Sequence, residues 1–212
     1  MISATPVGSA TVAGPVSTGA ARRGPAIPSA IFGVLLLLFV ELMFFSALFS
    51  SYFVIRRGRI EWDMPKTVQL PVLEAGFNSL VLVLSVVFLF LAGRALKQGA
   101  GELAQVGLKT RMKARMNVTR AQILGALFVA FQAWFAYRLV GAGMTMTNSL
   151  FGACFYLIVG AHALQIVAGL LVMTNLSLKI EGGLAVSTFN ALQIFWAFLV
   201  AVWLVFYVQI YL

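Results

Sequence analysis

Five apolar segments, each close to the length of a membrane-spanning helix, constrain the fold of this chain more than any other feature. They are Ala30–Ile55, Phe77–Leu96, Ala121–Val140, Leu150–Asn175 and Phe189–Leu212. A helix needs about 20 mostly apolar residues to cross the hydrocarbon layer of a bilayer. An isolated strand would leave backbone groups unpaired in lipid, and the alternating pattern of a membrane β-barrel is missing. The sequence therefore predicts an all-α, polytopic membrane protein with five transmembrane helices.

The composition excludes a soluble domain of this size. Of the 212 residues, 61% are hydrophobic and only 10% are charged. The formal net charge of +9 would suit a nucleic-acid-binding protein. However, the basic residues lie between the apolar segments, where they set the orientation of the helices in the membrane. We therefore expect a multi-pass protein of the inner (plasma) membrane that binds no nucleic acid.

The basic residues also predict which ends of the helices face the cytoplasm. The connection from Arg94 to Arg120 is the most basic one, and cytoplasmic connections are enriched in Lys and Arg. Placing it inside predicts an N-in, C-out topology, in which Arg56 and Arg57 lie at the outer face against the trend. Residues 1–28, rich in Ala, Gly, Ser, Thr and Pro, are predicted to form a flexible cytoplasmic tail. The membrane domain then spans residues 29–212.

One carboxyl group, Glu41, lies near the middle of the first span. An acid at this depth costs a few kcal/mol, so it needs a partner or a function. Its helical neighbours Leu37, Phe45 and Leu48 are apolar, and a partner must therefore come from another helix, from lipid or from water. Two interpretations stay open: Glu41 is a protonatable group on or near a proton path, or it is a protonated carboxyl that forms a hydrogen bond between helices.

Other polar side chains form narrow stripes along the later spans. The residues in question are His162 and Gln165 on the fourth segment, Gln132 on the third and Asn78 on the second. Such stripes usually mark close contacts between helices, so we interpret these residues as interhelical hydrogen-bonding groups. His162 is the only histidine of the chain, and Cys154 is the only cysteine. A binuclear copper centre, a bis-histidine haem or a zinc site of several His and Cys therefore cannot be built from this chain alone.

Motifs in all five segments are similar to one known family. They are ELMFF from Glu41 with Tyr52-Phe53, LPVLEAGFNSLVLVLS with Asn78, LGALFVAFQAWF with Gln132, FGACFYLIVGAHALQIVAG with His162, and FWAFLVAVWLVFYVQIY. In this order they resemble subunit III of the haem-copper oxidases, in the short form with five helices. The chain departs from the family at Gln165, Phe135, Ala197 and Val200, where the family has histidine, glutamate, histidine and aspartate.

The resemblance implies an accessory, metal-free subunit that is not itself catalytic and has no cofactor of its own. It would stabilise the catalytic subunit I, in a complex that also contains subunit II, with haem and copper in those partners. The family arrangement implies a V shape, with the first two helices forming one arm and the other three the second. Phospholipids would fill the gap, and Arg56, Arg57 or Arg94 would hold their head groups. Glu41 would be the carboxyl that faces the neighbouring subunit or the lipid cleft and supports proton uptake.

Four alternatives to a cytochrome c oxidase subunit remain open at this point. The partner complex could be a quinol oxidase or a nitric oxide reductase. The chain could act alone as a small proton or solute carrier that uses Glu41 and His162, although it shows no internal repeat and no helices broken by Gly or Pro. It could also be a membrane enzyme with its own active site, but no span carries a nucleophile next to a base.

Overall fold

The computed structural model describes residues 28–58, 70–99, 107–147, 149–180 and 185–211. In these ranges the chain forms the helices α1 (Ser29–Arg57), α2 (Val72–Gly99), α3 (Leu108–Gly141), α4 (Leu150–Lys179) and α5 (Val186–Tyr211) and no strand. All five are long and apolar enough to cross a membrane. The predicted all-α fold with five spans is therefore confirmed. The predicted cytoplasmic tail lies outside the described residues except for Pro28, and the N-in, C-out orientation stays a prediction.

The helices are longer than the apolar segments that predict them, most of all at the start of α3. This helix begins at Leu108 rather than at Ala121. The additional turns are rich in Lys, Arg and Met, which favour a helix as strongly as many apolar residues do. Ala114 and Asn117 in these turns are buried, and α2 is the neighbour with which α3 has its most extensive contact. Hydropathy therefore locates the part of α3 in lipid but not the whole helix.

Helix α5 lies at the centre of the bundle and contacts α1, α2 and α4. Its two fully buried tryptophans each donate a hydrogen bond to a serine of α2. Trp196 Nε1 lies 2.9 Å from Ser85 Oγ, and Trp203 Nε1 lies 2.9 Å from Ser79 Oγ. Gln193 adds a bond from Nε2 to the carbonyl oxygen of Leu89 at 3.0 Å. Lipid is as apolar as the side chains that face it, so such polar contacts and close packing determine which helices associate.

Two glycines make room for Trp196 between α3 and α4. A Cβ atom added at Gly125 or at Gly169 would lie 2.9 Å from the indole ring of Trp196. Any larger residue at either position would therefore push the ring away from its serine. Small residues at helix contacts commonly serve this purpose in membranes.

The structure corrects the expected grouping of the first two helices. Helix α1 packs against α5 and, over a shorter stretch, against α4, and within the described ranges it makes no contact with α2. Helix α2 packs against α3 and α5 instead. The physical reason is that α2 carries the serines that bind the tryptophans of α5, whereas α1 meets α5 through aromatic rings such as Phe45 and Phe206, 5.1 Å apart. The predicted two-helix arm is therefore wrong.

Replacing Gly169 with Leu should destabilise the purified protein, because the side chain would overlap the Trp196 ring. Overpacking of this kind costs roughly 1–3 kcal/mol. Gly160→Leu on the same helix is the matched control, since nothing lies within 4 Å of a Cβ atom there. Thermal unfolding in detergent should show a lower midpoint for Gly169→Leu only. Equal midpoints for the two variants would show that the bundle does not depend on this contact.

Candidate functional site

Glu41 meets a polar partner from another helix. Gln165 of α4 donates a hydrogen bond from Nε2 to the Oε2 atom of Glu41. The two residues are 124 positions apart in the sequence and face each other where α1 comes close to α4. Of the three sources of a partner that the sequence left open, the structure therefore supplies another helix.

The pair lies in an elongated groove of about 450 Å³ between α1, α4 and α5. Its walls are mostly aliphatic, with residues such as Val34 and Leu37 from α1, Val172 and Leu176 from α4, and Leu192 from α5. Among the residues that line the groove, Glu41 is the only one with an ionisable side chain, and Gln165 and Thr188 are the only other polar ones. The groove can therefore hold an apolar chain alongside a single carboxyl group.

The hydrogen bonding of Gln165 bears on the protonation of Glu41. The Oε1 atom of Gln165 is buried and has no hydrogen-bond donor among the described residues. A carboxylate offers only acceptors, whereas a protonated carboxyl also offers an O–H donor. A protonated Glu41 therefore has an O–H group to donate, and Gln165, its partner, has an amide oxygen without a donor. The arrangement suits a carboxyl group that takes up a proton.

His162 lies three residues before Gln165 on α4 but has very different surroundings. It is fully buried among the rings of Phe45, Phe128, Trp203 and Phe206. The imidazole stacks on Trp203, with centroids 5.3 Å apart and an interplanar angle of 25°. Neither ring nitrogen has a hydrogen-bond partner in the part of the chain that the structure describes.

The interhelical hydrogen bond expected of His162 is therefore not seen, and no hydrogen bond joins His162 to Glu41. The reason is that α1, α3 and α5 all present aromatic side chains at this point. The residue packs there as a flat ring between other rings.

Asn78 and Gln132 lie together where α2 crosses α3. Asn78 Nδ2 lies 3.2 Å from Gln132 Oε1 and 3.2 Å from the carbonyl oxygen of Phe128. Both side chains are buried, and the contact joins the two helices away from the groove of Glu41. Sequence reasoning did not identify the Ser79–Trp203 and Ser85–Trp196 bonds, because serine is common in membrane helices and its spacing carries no signal of a partner.

The three arginines proposed to hold lipid head groups do not converge. Arg56 Nη1 lies 3.4 Å from Tyr52 Oη and 3.4 Å from the carbonyl oxygen of Gln209, close to the end of α5. Arg57 lines a shallow groove at the same end of α1. Arg94 is near the C-terminal end of α2, whereas the other end of α2 contacts the end of α5 through the bond from Tyr207 to Val72. Arg94 therefore lies at the opposite end of the helix bundle from Arg56.

Within the described ranges, no group of three or more His, Cys, Asp and Glu side chains lies close enough together to hold a metal ion.

Known proteins resemble this chain over nearly all of its length. Cytochrome c oxidase subunit 3 of Synechocystis is 29% identical over 187 residues, which cover 86% of this chain and 75% of that protein. A probable cytochrome c oxidase subunit 3 of Nocardia farcinica is 29% identical, with 84% and 85% of the two chains covered. Subunit 3 of the cytochrome bo(3) ubiquinol oxidase of Pseudomonas aeruginosa is 28% identical, with 86% and 84% covered.

The family comparison agrees with these relatives. The family model for cytochrome c oxidase subunit III matches residues 21–212, a range that includes all five helices and the groove around Glu41. The resemblance that the motifs indicate is thus confirmed, and this chain belongs to the cytochrome c oxidase subunit III family.

Proposed function

We propose that this chain is the accessory, metal-free subunit of a respiratory haem-copper oxidase in the plasma membrane, where it supports proton uptake through Glu41. Haem and copper would lie in partner subunits I and II, with subunit I in direct contact. The observation that carries the proposal is the Glu41–Gln165 pair, which places one protonatable group in an apolar groove.

Helix α1 is the part of the chain best suited to contact the catalytic subunit. Only 6% of its most apolar stretch is buried in the structure, against 50% for α5. Large apolar side chains such as Phe39, Val40 and Met43 are exposed along it. In the family, the carboxyl of this helix faces the neighbouring subunit or a lipid cleft. Here the carboxyl of Glu41 lies in the groove between α1, α4 and α5, which suits the position at a lipid cleft. An acyl chain in the groove of Glu41 would exclude water from the acid.

The electron donor is set by other subunits. The relatives in Synechocystis and Pseudomonas are named for cytochrome c and ubiquinol respectively, yet this chain is 29% and 28% identical to them. If this subunit recognised the electron donor, we would expect its sequence identity to the cytochrome c oxidase relative and to the quinol oxidase relative to differ more. We therefore place the choice between cytochrome c and quinol outside this chain.

A carrier that acts alone through Glu41 and His162 has less support. The two side chains share no hydrogen bond, and His162 is enclosed by aromatic rings. A proton path needs polar groups or water between its members. The ring contacts of the His162 imidazole are all with aromatic side chains, which cannot pass on a proton.

Purification in mild detergent tests membership of an oxidase. An affinity-tagged copy of this chain should elute with a larger, haem-bearing chain, and the eluate should show a haem absorbance spectrum. Untagged membranes processed in the same way provide the control. Elution as a stable, haem-free homo-oligomer would contradict the proposal.

Replacing Glu41 with Gln should leave the complex assembled, because the amide has nearly the same shape and can still bond to Gln165. Sustained turnover should fall below that of the wild type as successive cycles deplete protons at the catalytic subunit. Thr188→Val is the matched control, since Thr188 lines the same groove and the change keeps its volume. Oxygen consumption followed over many turnovers measures the effect. Undiminished activity in Glu41→Gln would reduce Glu41 to a structural role.

A double-mutant cycle tests whether Glu41 and Gln165 act as a pair. Gln165→Leu alone should destabilise the protein by about 1–3 kcal/mol, because it leaves the acid without its partner. The double variant Glu41→Leu with Gln165→Leu should be nearly as stable as the wild type, since replacing both partners by apolar groups removes the unpaired acid. Thermal unfolding of the purified complex measures all four proteins. Additive losses would show that the two residues are not coupled.

A further inference from the structure

A second groove, separate from that of Glu41, lies between α2 and α3. It has a volume of about 390 Å³ and is lined chiefly by aromatic and aliphatic side chains. Phe77 and Val81 come from α2, and Phe131, Trp134 and Phe135 come from α3. Phe77 is 70% exposed and Trp134 is 56% exposed, so within the described chain nothing covers the groove.

An ion pair stands at one end of this groove. Arg138 Nη1 lies 2.8 Å from Glu74 Oε2, and both side chains are about half exposed, at 52% and 50%. The helix ends explain the signs of the two charges, because an acid suits the first turn of α2 and a base the last turn of α3. The pair adds little to stability, however, since exposed ion pairs contribute about 0–1 kcal/mol. The Asn78–Gln132 contact already joins the two helices nearby.

The groove has one charged end and an apolar lining, which matches a lipid oriented along the bilayer normal. The charged end lies at the membrane boundary, because α2 begins at Val72 and α3 ends at Gly141. From Glu74 to Val81 the groove descends about two helical turns, or roughly 10 Å, into the apolar layer. Trp134 lies near the boundary, where indole rings are usually enriched. A ligand that fits this groove therefore has a charged head group at the Glu74–Arg138 end and an apolar part along the aromatic lining.

We propose that this groove binds a zwitterionic phospholipid with a primary ammonium group, of the phosphatidylethanolamine type. The ammonium would donate to the carboxylate of Glu74 beside the ring of Trp134. The phosphate would accept from Arg138, whose guanidinium has five N–H donors and uses one nitrogen for Glu74. One acyl chain would lie against Phe77 and Phe131.

Charge and hydrogen bonding select this lipid class. The opposite charges of Glu74 and Arg138 match both charges of a zwitterion, whereas a purely anionic lipid would meet the carboxylate of Glu74 without a cation of its own. A quaternary ammonium, as in phosphatidylcholine, has no N–H to donate, and hydrogen bonds between charged groups are among the strongest in proteins. The proposal does not depend on Glu41, because the two grooves share no residue.

Lipid binding to the purified oxidase complex tests the proposal. The delipidated complex is titrated with phosphatidylethanolamine, phosphatidylglycerol or phosphatidylcholine in detergent micelles, and bound lipid is counted by native mass spectrometry. The wild type should bind one phosphatidylethanolamine per chain at least about tenfold more tightly than the other two lipids. Glu74→Gln should abolish this preference, since a hydrogen bond to a charged group contributes about 1.5–3 kcal/mol and 1.4 kcal/mol is tenfold.

Two further variants keep the test decisive. Trp134→Leu should weaken binding of phosphatidylethanolamine, whereas Ile123→Ala should not, because Ile123 is an exposed side chain of α3 outside the groove. Equal affinity for the three lipids would mean that the groove makes only non-specific contact with acyl chains. Loss of the catalytic subunit from Glu74→Gln or Trp134→Leu would mean that a protein covers the groove. Either outcome would overturn the proposal.

Discussion

The bundle depends on two tryptophan-to-serine hydrogen bonds that fix α5 against α2. Lipid removes the usual hydrophobic reason for helices to associate, so contacts that lipid cannot imitate must determine the arrangement. Trp196 and Trp203 provide such contacts, because each combines a large buried ring with a single donor that has one serine within reach. Gly125 and Gly169 allow α3 and α4 to pack closely around the ring of Trp196. Helix α1 is joined to α5 by the bond from Tyr52 Oη to the carbonyl oxygen of Gln209 and to α4 by the bond from Gln165 to Glu41, but it packs against its neighbours over shorter stretches than α2 does.

The spans themselves could be predicted from the sequence, and their associations could not. Hydropathy located all five helices, and α4 begins at Leu150 as expected. It missed the first turns of α3, because a helix continues through Lys and Arg residues that a hydropathy scale counts as loop. Pairing the first two helices failed for a different reason. Serine in α2 and tryptophan in α5 each look ordinary alone, and only their distance in space shows that they bond.

The candidate site was predictable in the same limited sense. An acid in lipid had to be unusual, and the sequence identified Glu41 for this reason. His162 and Gln165 looked equivalent on one helical stripe, yet one is enclosed by rings and the other bonds to the acid. The difference comes from the side chains on α1, α3 and α5, which a helical wheel of α4 does not contain. Gln165 also stands where the family resemblance places a histidine. An amide does not titrate, so Gln165 cannot share a proton with Glu41 as a titratable neighbour would.

The position of α1 also affects how the protein is made. This helix is synthesised before α4, and the residue that pairs with its acid follows 124 positions later. At about 5–20 residues per second, that delay lasts roughly 6–25 s. During this time the carboxyl group of Glu41 lies in the bilayer, or at its surface, without a hydrogen bond from Gln165. The nascent chain therefore carries an acid without its amide partner until α4 is inserted.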